Sequence, residues 1–307
     1  MLDAFAKVFQ NAQTGKSGFV VAISDYPVID MASGEVQLEL MAALPEGWGH
    51  FYQSSPGKDT VSTGFIAAQL ANNRGMIRRF GGERYLLYVN CAPRMDNTKG
   101  RMRNQGEGLV LAELTTGVRV FAVNAGYNLS FLKPQIQRLR VVDCPDYGSQ
   151  FRSRDVFPGV VGEFAHCLVG AAEYEKFRGD LDVDAIPDIP AFMVAYIDSF
   201  GNVKLSTRKS GLEFENGTEV VISKFGYTEH PIKAVVTETS FELSTGNPAL
   251  SSGSSGYGDP FVEIFVRGGS AAELLNLQVG DIVQVSAIQQ VGDTRTGRSC
   301  NLVTEST

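Results

Sequence analysis

Phe19-Val20-Val21-Ala22-Ile23 passes without a polar break into Ser24-Asp25-Tyr26-Pro27. An unbroken apolar run ended by a turn signal is the pattern of a strand covered on both faces, as in a parallel sheet between helices. Outward from it the chain alternates. Val36, Leu38, Leu40, Met41 and Leu44 mark a helix that Pro45 closes, and Phe51-Tyr52 marks a short strand. A helix is predicted from Thr63 to Ala71, and Tyr85-Leu86-Leu87-Tyr88-Val89 is a second strongly apolar strand. Further strands are predicted at Leu109–Leu114, Val118–Val123 and Leu139–Val142; Val156, Val160, Phe164 and Leu168 give Asp155–Val169 a helical spacing. Strands alternating with helices predict an α/β N-terminal domain with a mainly parallel sheet.

The pattern changes at Gly179–Pro190, GDLDVDAIPDIP, which is acidic, holds two prolines and has neither period. Beyond it come short β runs: Phe192–Ile197, Val203–Ser206, Glu219–Ile222, Ile232–Thr237, Phe261–Val266 and Ile282–Ile288, with one short helix at Ser270–Leu277. Gly, Asn and Asp turns separate them, the signature of an antiparallel β-barrel or sandwich. Ser251–Gly258, SSGSSGYG, has the composition of a flexible loop. The expected division is an α/β domain over 1–182, a linker over 183–190 and a C-terminal antiparallel β-barrel domain over 191–307.

Among the 307 residues the formal net charge is −7, and basic residues are scattered. That balance argues against nucleic acid or an anionic membrane as partner, since both select a basic face. Met1–Gly18 alternates polar and apolar residues without the apolar core of a signal peptide, and no membrane span is encoded, so a cytoplasmic location is expected. Cys91, Cys144, Cys167 and Cys300 show no CxxC spacing, and His50, His166 and His230 share no HExxH motif. Free thiols and no metal site are the expectation.

Four constellations carry chemical content. Ser24-Asp25-Tyr26-Pro27-Val28-Ile29-Asp30 places two carboxylates at the carboxyl end of the first strand, where open α/β sheets bind ligands. Asp25 suits a vicinal ribose diol, or else it caps the following helix. Gln150-Phe151-Arg152-Ser153-Arg154-Asp155 precedes a helix, so Ser153 is placed either to meet an anion or polar group or simply to cap, with Arg154 and Asp155 as a surface pair. Ile197-Asp198-Ser199-Phe200-Gly201-Asn202 is turn-like. Asp198 and Asn202 together offer what a zwitterionic amino-acid group needs, although Asx residues beside Gly are also ordinary turn chemistry. Finally, Val262–Val266 runs into Arg267-Gly268-Gly269-Ser270, where missing Cβ atoms let a flat ring approach the backbone; GxGxxG and the P-loop pattern are both absent.

In this order the four resemble the S-adenosyl-L-methionine hydroxide adenosyltransferase, fluorinase and chlorinase superfamily, from Phe19 to Ile288. The run Glu263–Asp281, EIxVxxGSAAELLxLxVGD, is the most specific; IDxFGN at Ile197–Asn202 and FxxRDxF at Phe151–Phe157 add to it. The resemblance implies an α/β domain followed by a β-barrel, and a homotrimer with S-adenosylmethionine between subunits. It implies that Asp25 binds the ribose hydroxyls, that Asp30 lies near the methionine moiety, and that Asp198 and Asn202 hold the amino-acid end or the ribose edge. Phe200 would pack on the ligand, and the backbone of Val266, Arg267 and Gly268 would read the adenine edge. Ser153 stands where fluorinases carry a halide-binding serine.

The departures bear on activity. Water-using relatives activate water with an Asp, an Arg and a His, whose places are taken here by Asn90, Asn97 and Arg152. An amide is no general base at neutral pH. The Tyr and Thr of the fluorinase pattern are likewise replaced, by Asn90 and Pro93. Two functions follow. One is an enzyme, a hydrolase or adenosyltransferase acting at C5′ of S-adenosylmethionine, with water or a small anion held by Asn90, Arg152 and Ser153, releasing methionine and needing no cofactor beyond that adenosyl ligand. The other is a non-catalytic adenosyl-ligand binder or structural trimer.

Overall fold

The computed structural model describes residues 17–92, 108–145, 150–226, 231–238, 243–253, 256 and 258–288. Pro93, Asn97, His230 and Cys300, named above, lie outside these. The opening apolar run is β1 (Phe19–Ser24). With β2 (Gly49–Ser54), β3 (Tyr85–Asn90), β4 (Leu109–Leu114), β5 (Arg119–Val123), β6 (Ile136–Val142) and β7 (Phe177–Asp180) it forms one sheet, ordered β2-β1-β3-β5-β4-β6-β7. Strands β1, β3, β4 and β5 are apolar on both faces because both faces are covered. Val21, Ile23, Leu87 and Val89 point to one core; Val20, Ala22, Leu86 and Tyr88 point to the other. Helices α2 (Thr60–Ala71) and α3 (Arg74–Phe80) cover the first core, while α1 (Met31–Ala43), α4 (Arg152–Asp155) and α5 (Phe157–Gly170) cover the second.

The sheet is mixed and not mainly parallel. Strands β1, β2, β3 and β5 run parallel, whereas β4, β6 and β7 are joined by antiparallel ladders. The cause is the connection between β4 and β5. Only residues 115–118 separate them, a hairpin turned by Gly117 at φ 81° and closed by Leu114 N–H donating to the Val118 carbonyl at 2.9 Å. A parallel return needs a crossover of a dozen residues or more. The acidic stretch is also more ordered than its composition suggests: Gly179 and Asp180 belong to β7, and Ile186 is buried in the first core.

The second sheet contains β8 (Val194–Ile197), β9 (Val203–Arg208), β10 (Glu219–Lys224), β11 (Ile232–Thr237), β12 (Pro248–Ser252), β13 (Phe261–Val266) and β14 (Val283–Ala287), in the order β14-β10-β11-β12-β13-β9-β8. It too is mixed, since β11 and β12 are parallel. Its edges approach at the isolated bridge between Met193 and Ile282, so the sheet is a curled half-barrel and not the closed antiparallel barrel expected. Ser251 and Ser252, predicted as loop, pair with Glu263 and Val262 in the ladder. Helix α6 (Ala271–Leu274) follows β13 and is capped by the Ser270 hydroxyl, which accepts from Glu273 N–H at 3.1 Å.

The two sheets share a core. Phe65 on α2 stacks on Tyr196 of β8 at 5.9 Å between ring centroids and meets Phe261 of β13 at 4.9 Å; Phe131 closes the cluster at 5.7 Å from each of Phe65 and Phe261. Met193 and Ala195 join the same apolar cluster.

Candidate functional site

Strand register builds the first half of the site. Ser24 ends β1 and lies level with Asn90 at the end of β3, on the carboxyl edge of the parallel strands. The Ser24 hydroxyl is a hub. It accepts from the Asn90 amide at 3.4 Å and from Tyr26 N–H at 3.3 Å, and donates to Asp25 Oδ1 at 3.3 Å. Asp25 is half-buried, and desolvation raises its pKa against the opposing pull of hydrogen bonds from its own backbone, Ser24 and Cys91 and of the Lys58 charge. It does not cap the next helix. Asp30 does, accepting from Ala32 N–H at 3.0 Å, so that exposed carboxylate already has a structural task.

The second constellation meets the first here. The Tyr26 and Ser153 hydroxyls lie 3.1 Å apart, and the buried Tyr88 hydroxyl donates to the Ser153 carbonyl at 3.0 Å. Tyr52 donates to the Tyr26 carbonyl at 2.7 Å, and Phe151 sits edge-on to the Tyr26 ring at 5.6 Å. Ser153 is buried within α4, which has no side-chain cap. The expected surface pair of Arg154 with Asp155 is present at 2.6 Å, and Arg154 also reaches Glu35 on α1 at 3.2 Å. The Arg152 guanidinium lies over the Phe157 ring at 5.0 Å. Burial, reinforced by the Asp25 charge, pushes Tyr52 up to about 12, and burial with that same charge pushes the Cys91 thiol up to about 12. Tyr88, fully enclosed, is held well above the usual phenol range by desolvation.

The third and fourth constellations form a second cluster. Asp198 Oδ1 accepts from Phe200 N–H at 2.9 Å and Asn202 N–H at 3.0 Å; Oδ2 accepts from the Asn202 amide at 3.0 Å. This is the turn chemistry foreseen as one of two readings. Lys204 lies 3.6 Å from Asp198 Oδ2 and pairs with Glu263 across the ladder, both of them buried. The carbonyl of Gly201, a residue at φ 78°, accepts from Ala272 N–H at 3.0 Å, and a Cβ on that glycine would collide with Ser270 Oγ. That close approach docks α6 onto the turn. Gly269 N–H donates to the Val266 carbonyl at 3.1 Å, while the Arg267 backbone bonds to Gly246 and Asn247 and its guanidinium to the Leu243 carbonyl. Gly268 turns the chain at φ 73°. Phe200 stands 77% exposed.

The structure therefore joins the first constellation to the second and the third to the fourth, and the described hydrogen bonds of each pair stay within its own sheet. Sequence reasoning missed the hydroxyls of Tyr52 and Tyr88. A tyrosine inside an apolar strand must find a partner for its O–H, and that was the available signal. Among the described residues no group of three or more His, Cys, Asp or Glu side chains converges as a metal site, and no helix is long and apolar enough to cross a membrane.

Residues 192–284 match the family model described as the SAM hydroxide adenosyltransferase C-terminal domain. Two solved structures share the fold. An uncharacterized conserved protein from Thermotoga maritima aligns with a TM-score of 0.66 and 15% identity over 87% of this chain and 100% of its own. A conserved hypothetical protein from Thermus thermophilus aligns with a TM-score of 0.60 and 19% identity, over 88% and 100%. A search of curated proteins gives no match.

Proposed function

The chain belongs to the SAM hydroxide adenosyltransferase superfamily through its C-terminal domain, and from that premise we propose that it substitutes at C5′ of S-adenosylmethionine or a related adenosyl sulfonium, releasing methionine. The observation that carries the reading is the meeting of Tyr26 and Ser153, 127 residues apart, beside Asp25 and Asn90 at the carboxyl edge of the parallel strands. Displacement at a sulfonium carbon needs a nucleophile held in line and partly stripped of water. The buried hydroxyl of Ser153 and amide of Asn90 are suited to hold water or a small anion, and the Arg152 charge favours the anion. Asp25 faces the ribose and Asp30 the methionine end. The backbone of Val266, Arg267 and Gly268 takes the adenine edge, with Phe200 against the ligand and the Asp198–Asn202 turn at its amino-acid end.

The assembly proposed is a homotrimer in which one copy supplies the first half and a neighbour the second. Exposed apolar side chains support it. Val28, Ile29 and Met31 stand beside the first half, Ile29 at 98% exposure, and Phe200 and Leu274 stand beside the second. The free thiols Cys91, Cys144 and Cys167 support a reducing, cytoplasmic setting, and the negative charge supports a small-molecule partner and not nucleic acid.

The test is incubation with S-adenosylmethionine at varied halide, with chromatography for methionine and adenosine products and sedimentation for the trimer. Product establishes the enzyme. A second reading, binding without turnover, is favoured by the Tyr26–Ser153 contact, in which each hydroxyl already has a partner. Thermal stabilisation by the ligand with no product would establish that one.

A further inference from the structure

We propose that Asp25 is the proton acceptor for an attacking water, aligned for that task by Ser24 and Asn90; this assignment rests on the substitution reaction proposed above. Ser24 and Asn90 are register partners on adjacent parallel strands, and the Ser24 hydroxyl links the Asn90 amide to the Asp25 carboxylate. With its N–H₂ directed to Ser24, the buried Asn90 amide keeps a carbonyl oxygen whose chemistry is that of an acceptor, able to orient a water without removing a proton. The water's second proton then needs a base.

Among the described residues, elimination around the edge leaves one. Tyr52 on β2 and Cys91 after β3 are each pushed up to about 12, Tyr88 on β3 well above the usual phenol range, so all three stay protonated at neutral pH. The Arg152 guanidinium lies over Phe157 and offers hydrogen-bond donors only, and the Ser153 hydroxyl has Tyr26 for a partner. The Asp30 carboxylate caps α1, and the Asp59 carboxylate caps α2 by accepting from Ser62 N–H at 2.6 Å. Asp25 has no cap to hold, and its carboxylate adjoins Ser24 and Cys91. Burial lifts its pKa towards the working pH, which makes it a better base, while the Lys58 charge, from the loop before α2, limits the rise.

The step balances. The water oxygen bonds to C5′, the C5′–S bond breaks with its electron pair passing to sulfur, and the sulfonium becomes the neutral thioether of methionine. The water's proton moves to the Asp25 carboxylate and from there to solvent, so that one sulfonium cation and one water give adenosine, methionine and one proton.

The experiment is steady-state release of adenosine and methionine from about pH 5 to about pH 9, for the wild type, Asp25→Asn, Ser24→Ala and Asp25→Gly with and without added formate. Expected are a wild-type kcat that falls on the acid side, a loss of about 100-fold or more in kcat for Asp25→Asn with KM within about threefold, and partial rescue of Asp25→Gly by formate. Ser24→Ala removes a hydrogen bond that lowers the Asp25 pKa, so its acid limb moves to higher pH. A raised KM with kcat retained in Asp25→Asn would overturn the assignment and leave the substitution reaction standing, with Asp25 as a sugar ligand only. A wild type stabilised by S-adenosylmethionine but without product at any pH would overturn the reaction and the assignment together.

Discussion

The two halves of the site differ in how their turns are closed. In the first, bonds join residues 66 and 127 positions apart, Asn90 to Ser24 and Tyr26 to Ser153, and two strands and a helix must all be in place before they form. In the second, the turn itself is closed locally, Asp198 bonding to Phe200 and Asn202 two and four positions away, while its docking on α6 and β13 is long-range, Gly201 to Ala272 and Lys204 to Glu263. A locally closed motif keeps its sequence signature because each residue answers to near neighbours. A long-range one keeps only the residues that meet, with no constant spacing between them. The family model matches residues 192–284, the span that holds the Asp198 turn, and stops short of the first half.

The largest effect expected from breaking this contrast lies in the shared core. Phe65→Ala removes the ring that touches Tyr196, Phe261 and Phe131, a loss of about 3–5 kcal/mol in urea denaturation. The two sheets should still unfold in one transition, and two resolved transitions would show that they are independent. Next comes Gly201→Ala, which combines a positive φ with a Cβ pressed on Ser270; a cost of about 1–3 kcal/mol in a thermal melt is expected. Adenosyl-ligand stabilisation should weaken with it, because the turn and α6 separate. Tyr26→Phe removes one hydroxyl of the Tyr26–Ser153 pair and should cost about 1 kcal/mol in the same melt, with near-unchanged secondary structure by circular dichroism. An unchanged melting temperature would mean that the pair contributes no net stability.

The smallest effect has a definite sign. The folded state raises the Asp25 pKa above 3.8, so the contribution of this group to stability is fully present below that value and is lost as pH rises through the folded pKa. Asp25→Asn should therefore raise the melting temperature at pH 7 and leave it near the wild-type value at about pH 3. A lower melting temperature at pH 7 would show that the bonds from Ser24 and Cys91 outweigh desolvation.

Strand positions were legible because burial on both faces leaves runs such as Phe19–Ile23 and Tyr85–Val89 without polar interruption. Strand direction was legible only in part. The interval of residues 115–118 between β4 and β5 excludes a crossover, yet an apolar run looks alike in either direction. The α3 helix (Arg74–Phe80) and β12 (Pro248–Ser252) escaped notice, the first because a seven-residue helix with Gly75 in it shows little period, the second because Ser251 and Ser252 read as loop until Glu263 and Val262 are seen opposite them. For the site, Asp25, Asn90 and Ser153 could be named from motifs, whereas the Tyr26–Ser153 contact depends on how α4 settles on β1 and β3.

Because Phe65, Phe131 and Phe261 hold the sheets by contact, the covalent connection between them is not what keeps them together. Asp188 adds to this by pairing with Lys133 at 2.6 Å across the junction. A chain divided between the exposed residues Pro187 and Asp188 should consequently yield two fragments that co-purify and regain the melting behaviour of the parent, a complementing pair whose reassembly reports on the aromatic joint.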